Sequence, residues 1–415
     1  MISGIMIRNF RSIRELDPPL KLDRFHVLVG PNGSGKSTFL DAIDFVRDCL
    51  LEGPQKAVES RGAEFRDLTW MRQGGTIEIG LWIDIGQLLE DQKDSILNYQ
   101  LKIIEDPTHG VSVSEEILRR YSKRWLAKGD DFKFSPKVKP KRLLGKTSKG
   151  TDYFSRENSG YQDVFVFGLD RLALSNTPPD EARYPTANAV KRFLLQGVRF
   201  IQLNSRAMRH PCPATRSKEL ELDGTNLARV VGRLLEKSAA NTAHDHSMQD
   251  HQAQESPLEA WTDHLRYALP ELKEIRWDQR KPDNAEYIEL LFEDGLKCPS
   301  WLVSDGTLRM MALTLPAFLK PEPGIYMVEE PENGVHPKAL EIIMSALSAI
   351  PRIQMLVATH SPFVVQQVGR EPLLCFSRSR ENGTMVVPGP QHPVLRNWDG
   401  TPDLATIFSS GVLEA

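Results

Sequence analysis

The chain is poor in cysteine and has no cysteine pair. Cys49, Cys212, Cys298 and Cys375 stand alone among 415 residues, with no C-x-x-C spacing. A cysteine zinc site or a disulfide framework is therefore not expected, and free thiols fit a reducing cytoplasm. No apolar run approaches the roughly 18 residues that a membrane-spanning helix needs. The opening Met1-Ile2-Ser3-Gly4 leads into a strand-like segment without the pattern of a secretory signal. Neither sign of charge dominates: 52 Lys and Arg face 55 Asp and Glu, a net charge of -3, so any nucleic-acid surface must be a local patch. No long heptad run occurs, which excludes extended coiled-coil arms. With 40% hydrophobic and 26% charged residues the composition is that of a globular protein, and the length leaves room for about two or three domains. The expectation is a cytoplasmic protein without membrane contact.

The most informative segment is Gly30 to Ser37, G-P-N-G-S-G-K-S, which fits G-x-x-x-x-G-K-[ST] at every fixed position. Phe25-His26-Val27-Leu28-Val29 before it reads as a short buried strand, and Thr38 to Val46 after it has helical spacing of apolar residues. Strand, glycine-rich turn and helix form the setting in which this loop cradles phosphates. The glycines let backbone N–H groups point inward, and the helix N-terminus adds partial positive charge. Asn32, Gly33, Ser34, Gly35, Lys36, Ser37 and Thr38 are the candidate nucleotide contacts. Lys36 would reach the β- and γ-phosphates, and the Ser37 hydroxyl would ligate Mg²⁺.

Two later segments have the form of buried strands with polar ends. Ile325-Tyr326-Met327-Val328 runs into Glu329 and Glu330. Glu329 would hold Mg²⁺ through water, and Glu330 would polarise the attacking water as general base. Ile353 to Ala358 runs into Thr359-His360-Ser361-Pro362, which places His360 where a side chain could meet the γ-phosphate. Upstream, Val303-Ser304-Asp305-Gly306-Thr307 opens an apolar helix. Its N-terminus is a further potential phosphate contact, or simply a capped helix start.

Together these segments resemble the ABC-type ATPases, and within them the RecF-like and overcoming-lysogenization-defect-like group of bacterial AAA family ATPases. The resemblance rests on ordered runs: N-F-R-S-I at 9–13, the loop at 30–38, D-G-T-N-L-A at 223–228, V-S-D-G-T-L-R at 303–309, I-Y-M-V-E-E-P-E-N-G-V-H-P at 325–337 and A-T-H-S-P at 358–362. It covers about half of the chain, at its two ends. Transporter ATPases carry L-S-G-G-Q where this chain has V-S-D-G-T, and commonly Asp where it has Glu329; both departures suit the RecF-like group. The resemblance implies an α/β ABC-ATPase head: a P-loop core sheet, a flanking antiparallel sheet and a mostly helical inserted region. It implies an ATPase with ATP and Mg²⁺ as cofactors, in which Glu330, His360 and Lys36 are catalytic. Ser304 and Gly306 would act in trans on nucleotide held by a second copy, in a homodimer or higher homo-oligomer. Gln73 is a candidate for the family's glutamine loop. The group's nucleases carry a C-terminal Toprim domain; only 55 residues follow His360 here, so a nuclease or toxin effector is expected on a separate polypeptide.

The expected division is an N-terminal lobe over 1–110, an inserted region over 111–300 and a C-terminal lobe over 301–415. Residues 77–104 alternate as an antiparallel sheet would, residues 190–236 look helical, and 258–269 suits an amphipathic helix. Residues 117–150 hold twelve Lys and Arg against Asp130 and Asp131, with Tyr121, Trp125, Phe132 and Phe134 interleaved. They could contact DNA or RNA, or be a solvated basic loop or a docking face for an acidic partner. The polar stretch 238–257 reads as a linker, with His244, Asp245, His246 and His251 as an alternative metal cluster. Three readings follow. The first is a nucleotide-gated switch acting on DNA or on an effector in antiphage defence. The second is a RecF-like DNA-repair ATPase, and the third a non-catalytic ATP-dependent scaffold.

Overall fold

In the computed structural model the described residues are 1–89, 92–123, 132, 139–244 and 256–414. The strands are β1 (Ile2–Phe10), β2 (Ile13–Lys21), β3 (Phe25–Val29), β4 (Ile77–Asp84), β5 (Ser95–Asp106), β6 (Gly110–Ser122), β7 (Lys141–Lys146), β8 (Thr151–Ser155), β9 (Gln162–Val166), β10 (Val198–Ile201), β11 (Leu272–Arg280), β12 (Ala285–Phe292), β13 (Lys297–Pro299), β14 (Gly324–Glu329), β15 (Ile353–Ala358), β16 (Leu373–Ser379) and β17 (Gly383–Pro388). One sheet takes fourteen of them in the order β10-β14-β15-β3-β16-β17-β2-β1-β4-β5-β6-β7-β8-β9, and β11-β12-β13 form a second, antiparallel sheet.

The large sheet has two characters. From β10 to β16 it is parallel, and its strands read as apolar runs because both faces are covered. One face packs on the helix Lys36–Glu52 through Phe39, Leu40, Ile43 and Val46. The other packs on the helices Asp305–Thr314, Pro337–Ala349 and Pro362–Val368 through residues such as Leu308, Met311, Ile343 and Val365. Truncating a fully buried ring such as Phe39 would cost about 3–5 kcal/mol. From β16 to β9 every pairing is antiparallel. The flanking antiparallel sheet expected at 77–104 is therefore present as β4 and β5, joined edge to edge with the core.

The inserted region corrects the expectation of a mostly helical insert. Within 111–300 lie β6 to β13, and its longer helices are Pro185–Arg192, Leu227–His244 and Pro257–Arg266. The expected helical span 190–236 contains β10. A π-helical turn, Phe193–Gly197, delivers the chain straight from helix into Val198-Arg199-Phe200-Ile201, so no loop composition marks the change. The strands over 141–166 are only five or six residues long, too short for their alternation to stand out among lysines and glycines. The helix expected at 258–269 is present as Pro257–Arg266, opened by a capping box between Ser256 and Glu259.

Several cations of the basic segment are spent on the fold. Lys123 pairs with Asp84 at 2.7 Å, Arg120 with Glu157 at 2.9 Å, and Arg119 bonds to Gln100 at 2.6 Å. Lys146 and Asp152 form a fully buried ion pair at 2.5 Å. Phe132 packs on Trp82 with ring centres 5.2 Å apart. Residues 124–131 and 133–138, including Trp125 and Phe134, lie outside the described residues, as do Asp245, His246 and His251. Among the described residues no helix is long and apolar enough to cross a membrane, and no His/Cys/Asp/Glu cluster could hold a metal.

Glu116 is fully buried where the antiparallel wing meets residues 172–177. Its carboxyl accepts from the Tyr99 hydroxyl at 2.8 Å and from the Leu174 and Ala173 N–H groups. Burial pushes its pKa up to about 7, against the lowering effect of those bonds. A carboxyl raised above its unfolded value favours folding fully at pH below that value, and the contribution is lost as pH rises through about 7. Glu116→Gln, which keeps an acceptor and cannot ionise, is expected to gain thermal stability relative to the parent between pH 5 and 7.5; melting curves across that range check it.

Candidate nucleotide site

The site is built where parallel strands end. β14, β15 and β3 are in register, with Glu329 opposite Ala358 and Ala358 opposite Leu28. The acids after β14, the histidine after β15 and the glycine loop after β3 therefore emerge at one rim of the sheet, where ligands bind in open α/β folds. The glycine loop, Glu330 and His360 meet around a cavity of about 560 Å³ lined by Asn32, Gly33, Gly35, Lys36, Ser37, Thr38, Glu330 and His360; Ser34 and Glu329 are not among its lining residues.

The loop conformation depends on its glycines. Gly30, Gly33 and Gly35 have φ of 145°, 77° and 107°. A Cβ on Gly30 would fall 2.2 Å from the Phe376 carbonyl oxygen, and one on Gly35 2.2 Å from the Thr384 hydroxyl. Helix Lys36–Glu52 follows without a side-chain cap on its first N–H groups, so they keep donors for an anion. Lys36 is buried and its Nζ donates to the carbonyls of Gly30 at 2.7 Å and Pro31 at 3.1 Å. Ser34 is buried and its Oγ has no hydrogen-bond partner.

Glu329 and Glu330 are set differently. Glu329 Oε1 is buried with no hydrogen-bond partner, an expensive state for a carboxylate unless a cation or donor joins it. That orphan oxygen and the orphan Ser34 hydroxyl fit a phosphate–metal group at this rim. Glu330 is exposed and holds a left-handed backbone, φ 49°, a strained conformation that clusters at working sites. Its N–H donates to Ala358 O at 2.8 Å, and the Asn333 side chain donates to its carboxylate.

Glu332 lies two residues beyond Glu330 in the P-E-N-G run. Its Oε1 accepts from the Thr359 hydroxyl at 2.7 Å and the His360 N–H at 2.9 Å. It thus ties the loop after β14 to the start of the His360 segment. Other residues enter the cavity from distant sequence: Arg11, Ser12, Thr69 to Arg72 and Arg378. Arg11 pairs with Asp41 at 3.1 Å. Ser12 Oγ bonds Thr38 Oγ1 at 3.1 Å and Thr384 Oγ1 at 2.9 Å. Asn9 accepts from Trp70 N–H at 2.9 Å and donates to the Gly74 and Thr76 carbonyls. The N-F-R-S run was the only available signal for these contacts. Gln73 is exposed and does not line the cavity; its neighbours Met71 and Arg72 do.

Ser304 and Gly306 are not among the cavity residues. Ser304 is the N-cap of helix Asp305–Thr314 and accepts from Thr307 N–H at 3.1 Å. A Cβ on Gly306 would lie 2.3 Å from Gly334 O, so this helix start rests directly on the loop that follows the acids. Arg309, one turn on, is lowered in pKa by burial, while Asp305, Glu330 and Glu332 act to raise it. The Asn of D-G-T-N-L-A, Asn226, is fully buried. It clamps residues 217–221, donating to Ser217 O and Glu219 O and accepting from Glu221 N–H.

The family match, the fold and the short RecF match together support an ABC-type phosphate-loop ATPase class of RecF-like kind. The chain belongs to the family described as "AAA domain, putative AbiEii toxin, Type IV TA system", whose model matches residues 25–366. Among curated proteins it is similar to the DNA replication and repair protein RecF of Proteus mirabilis (strain HI4320), 54% identical over 43 residues. That match spans 10% of this chain and 12% of RecF's length. Among solved structures it is similar to an Smc head bound to the C-winged helix domain of ScpA. The TM-score is 0.50 at 14% identity, over 93% of this chain and 96% of that one.

Gly306→Ala tests the close approach. Overpacking against Gly334 O is expected to lower stability by about 1–3 kcal/mol, read as a shift of the denaturation midpoint, whereas Gly33→Ala meets no neighbouring atom and is opposed by backbone conformation alone.

Proposed function

We propose that this protein binds ATP with Mg²⁺ in the 560 Å³ cavity and hydrolyses it as a nucleotide-gated dimerising switch. The observation that carries this reading is the single cavity in which the glycine loop, Lys36, Ser37, Glu330 and His360 meet. Lys36 exchanges its loop carbonyls for phosphate oxygens. Ser37 would hold the metal directly and Glu329 through water, and the metal would supply charge compensation on the phosphates. Glu330, oriented by Asn333, takes the proton of the attacking water. His360, with its backbone fixed by Glu332, contacts the terminal phosphate.

Closure by a second copy is supported by what the cavity leaves out. Ser304 and Gly306 sit on a helix start outside it, beside exposed Trp301 and Leu302. A helix N-terminus presented there could complete the phosphate shell of another copy. The setting proposed is bacterial antiphage defence with a separate nuclease or toxin effector, and the protein is expected in the cytoplasm. The intramolecular bonds of Arg119, Arg120, Lys123 and Lys146 leave four of the twelve cations of 117–150 less available to DNA, which supports keeping an effector beside DNA as the thing switched. The short RecF match favours a second reading, a RecF-like repair ATPase.

Lys36→Ala is expected to abolish ATP binding in a calorimetric titration. Glu330→Gln is expected to bind ATP but hydrolyse it at least 100-fold more slowly and to accumulate as an ATP-dependent dimer by mass in solution. Turnover by Glu330→Gln at the parent rate would refute the general-base role. Ser304→Arg should leave ATP affinity nearly unchanged and block that dimer; loss of ATP binding would instead place Ser304 in its own chain's site. A duplex added to the Glu330→Gln dimer discriminates further: retention favours repair, and indifference favours an effector.

A further inference from the structure

Among the described residues, no strand pairs with the outer edge of the large sheet at its far end. β9 is its terminal strand and, among the described residues, pairs only with β8. Gly160 and Gly168, both left-handed, bound it, and between them runs Tyr161-Gln162-Asp163-Val164-Phe165-Val166-Phe167. Natural sheet edges are usually blunted by charge, proline or a bulge, because free N–H and C=O groups recruit another strand. This segment has no proline, and its ladder to β8 runs without a register shift. Its one charge, Asp163, is taken up within the chain by Arg156 at 2.5 Å and by the Tyr184 hydroxyl.

Apart from Gln162, the exposed side chains are apolar on both faces of the strand. Tyr161, Val164 and Val166 are 72%, 54% and 75% exposed, and Phe165 and Phe167 39% and 43%. Val164 and Val166 share the face of Tyr153 and Thr151, while Phe165 lies opposite Asp152 and touches Phe154. Arg156 N–H donates to Tyr161 O at 2.7 Å, so Tyr161 belongs to the set whose polar groups face β8. Antiparallel alternation then turns the N–H and C=O of Gln162, Val164 and Val166 outward.

We infer that β9 is a homotypic interface, at which β9 of a second copy adds antiparallel with the two-fold axis at Val164. The segment 161–167 is centred on Val164, so this register uses all of it. Gln162 lies opposite Val166, Asp163 opposite Phe165 and Tyr161 opposite Phe167, and the outward groups of Gln162, Val164 and Val166 bond their counterparts. No like charges meet. A charged foreign strand would set its charges against Val and Phe with no counter-charge in the edge, whereas an identical strand brings only Asp163, already held by Arg156 and Tyr184 of its own chain. β16, β17, β2, β1 and β4 to β8 separate β9 from β3, so this association needs no nucleotide. A strand pair of this length buries less than the ~800 Å² per partner of a standard interface, so its Kd is expected in the micromolar range.

The test is sedimentation equilibrium of the full-length Lys36→Ala chain without nucleotide, from about 1 to 100 µM. Reversible dimerisation is expected. Val164→Lys with Val166→Lys, at exposed positions that leave the melting temperature within a few degrees, should weaken it at least ~30-fold. Val164→Pro, which removes an outward N–H and no bond to β8, should do the same. In a Cys298→Ser background, Val164→Cys should form an oxidative cross-link between copies and Gln162→Cys should not, since Gln162 faces Val166 across the axis. A monomer at about 100 µM, a dimer that survives the lysine and proline variants, or equal cross-linking at 162 and 164 would each overturn the inference.

Discussion

The in-register parallel pairing of β14, β15 and β3 is the constraint on which the site depends. Hydrogen bonds along those ladders set Glu329, Ala358 and Leu28 side by side. Each strand leaves the sheet at the same level, so three loops from distant parts of the chain share one rim. Leu28, Met327 and Leu356 pack in the core on one face and Val27, Val328 and Val357 in the core on the other, so a one-residue slip would exchange the two fitted sets and disrupt both packings. The positions of Lys36, Glu330 and His360 follow from that register. Glu332 then acts within the rim, joining the loop after β14 to the backbone at His360.

How much was legible in the sequence follows from locality. The glycine loop, its strand and its helix were readable because every requirement, including the left-handed glycines, falls within consecutive residues. The acids and His360 were readable as strand ends after apolar runs. Arg11, Ser12, Met71, Arg72 and Arg378 were not, because only the folded sheet, in which β16 lies next to β3 and β17, β2, β1 and β4 follow in turn, brings these residues to the cavity. The bonds of Glu332 to Thr359 and His360 exist only because β15 lies next to β14, so the P-E-N-G run alone does not reveal them.

The inserted region shows the opposite difficulty. Tertiary context overrode local signals there. Lys146, one of the twelve cations of the basic segment, is buried in the antiparallel wing, as are its partner Asp152 and nearby Glu116. Lys146 also donates to Gly168 O at 2.6 Å, so a residue that looked like part of a phosphate-binding patch anchors the turn after β9. A count of cations along a segment therefore overstates the charge that it can offer to a partner.

The bonds from Lys36 to the Gly30 and Pro31 carbonyls have a further consequence. They hold the loop in shape with its own atoms, as do the bonds from Ser12 to Thr38 and Thr384. The conformational entropy of ordering this loop is spent during folding and is not charged against association. A ligand must still displace two good acceptors from one ammonium, and only a group carrying comparable density of negative charge does so without loss. The loop is thus preorganised and selective at once: rigid toward any visitor, and indifferent to those too weakly charged to win its lysine.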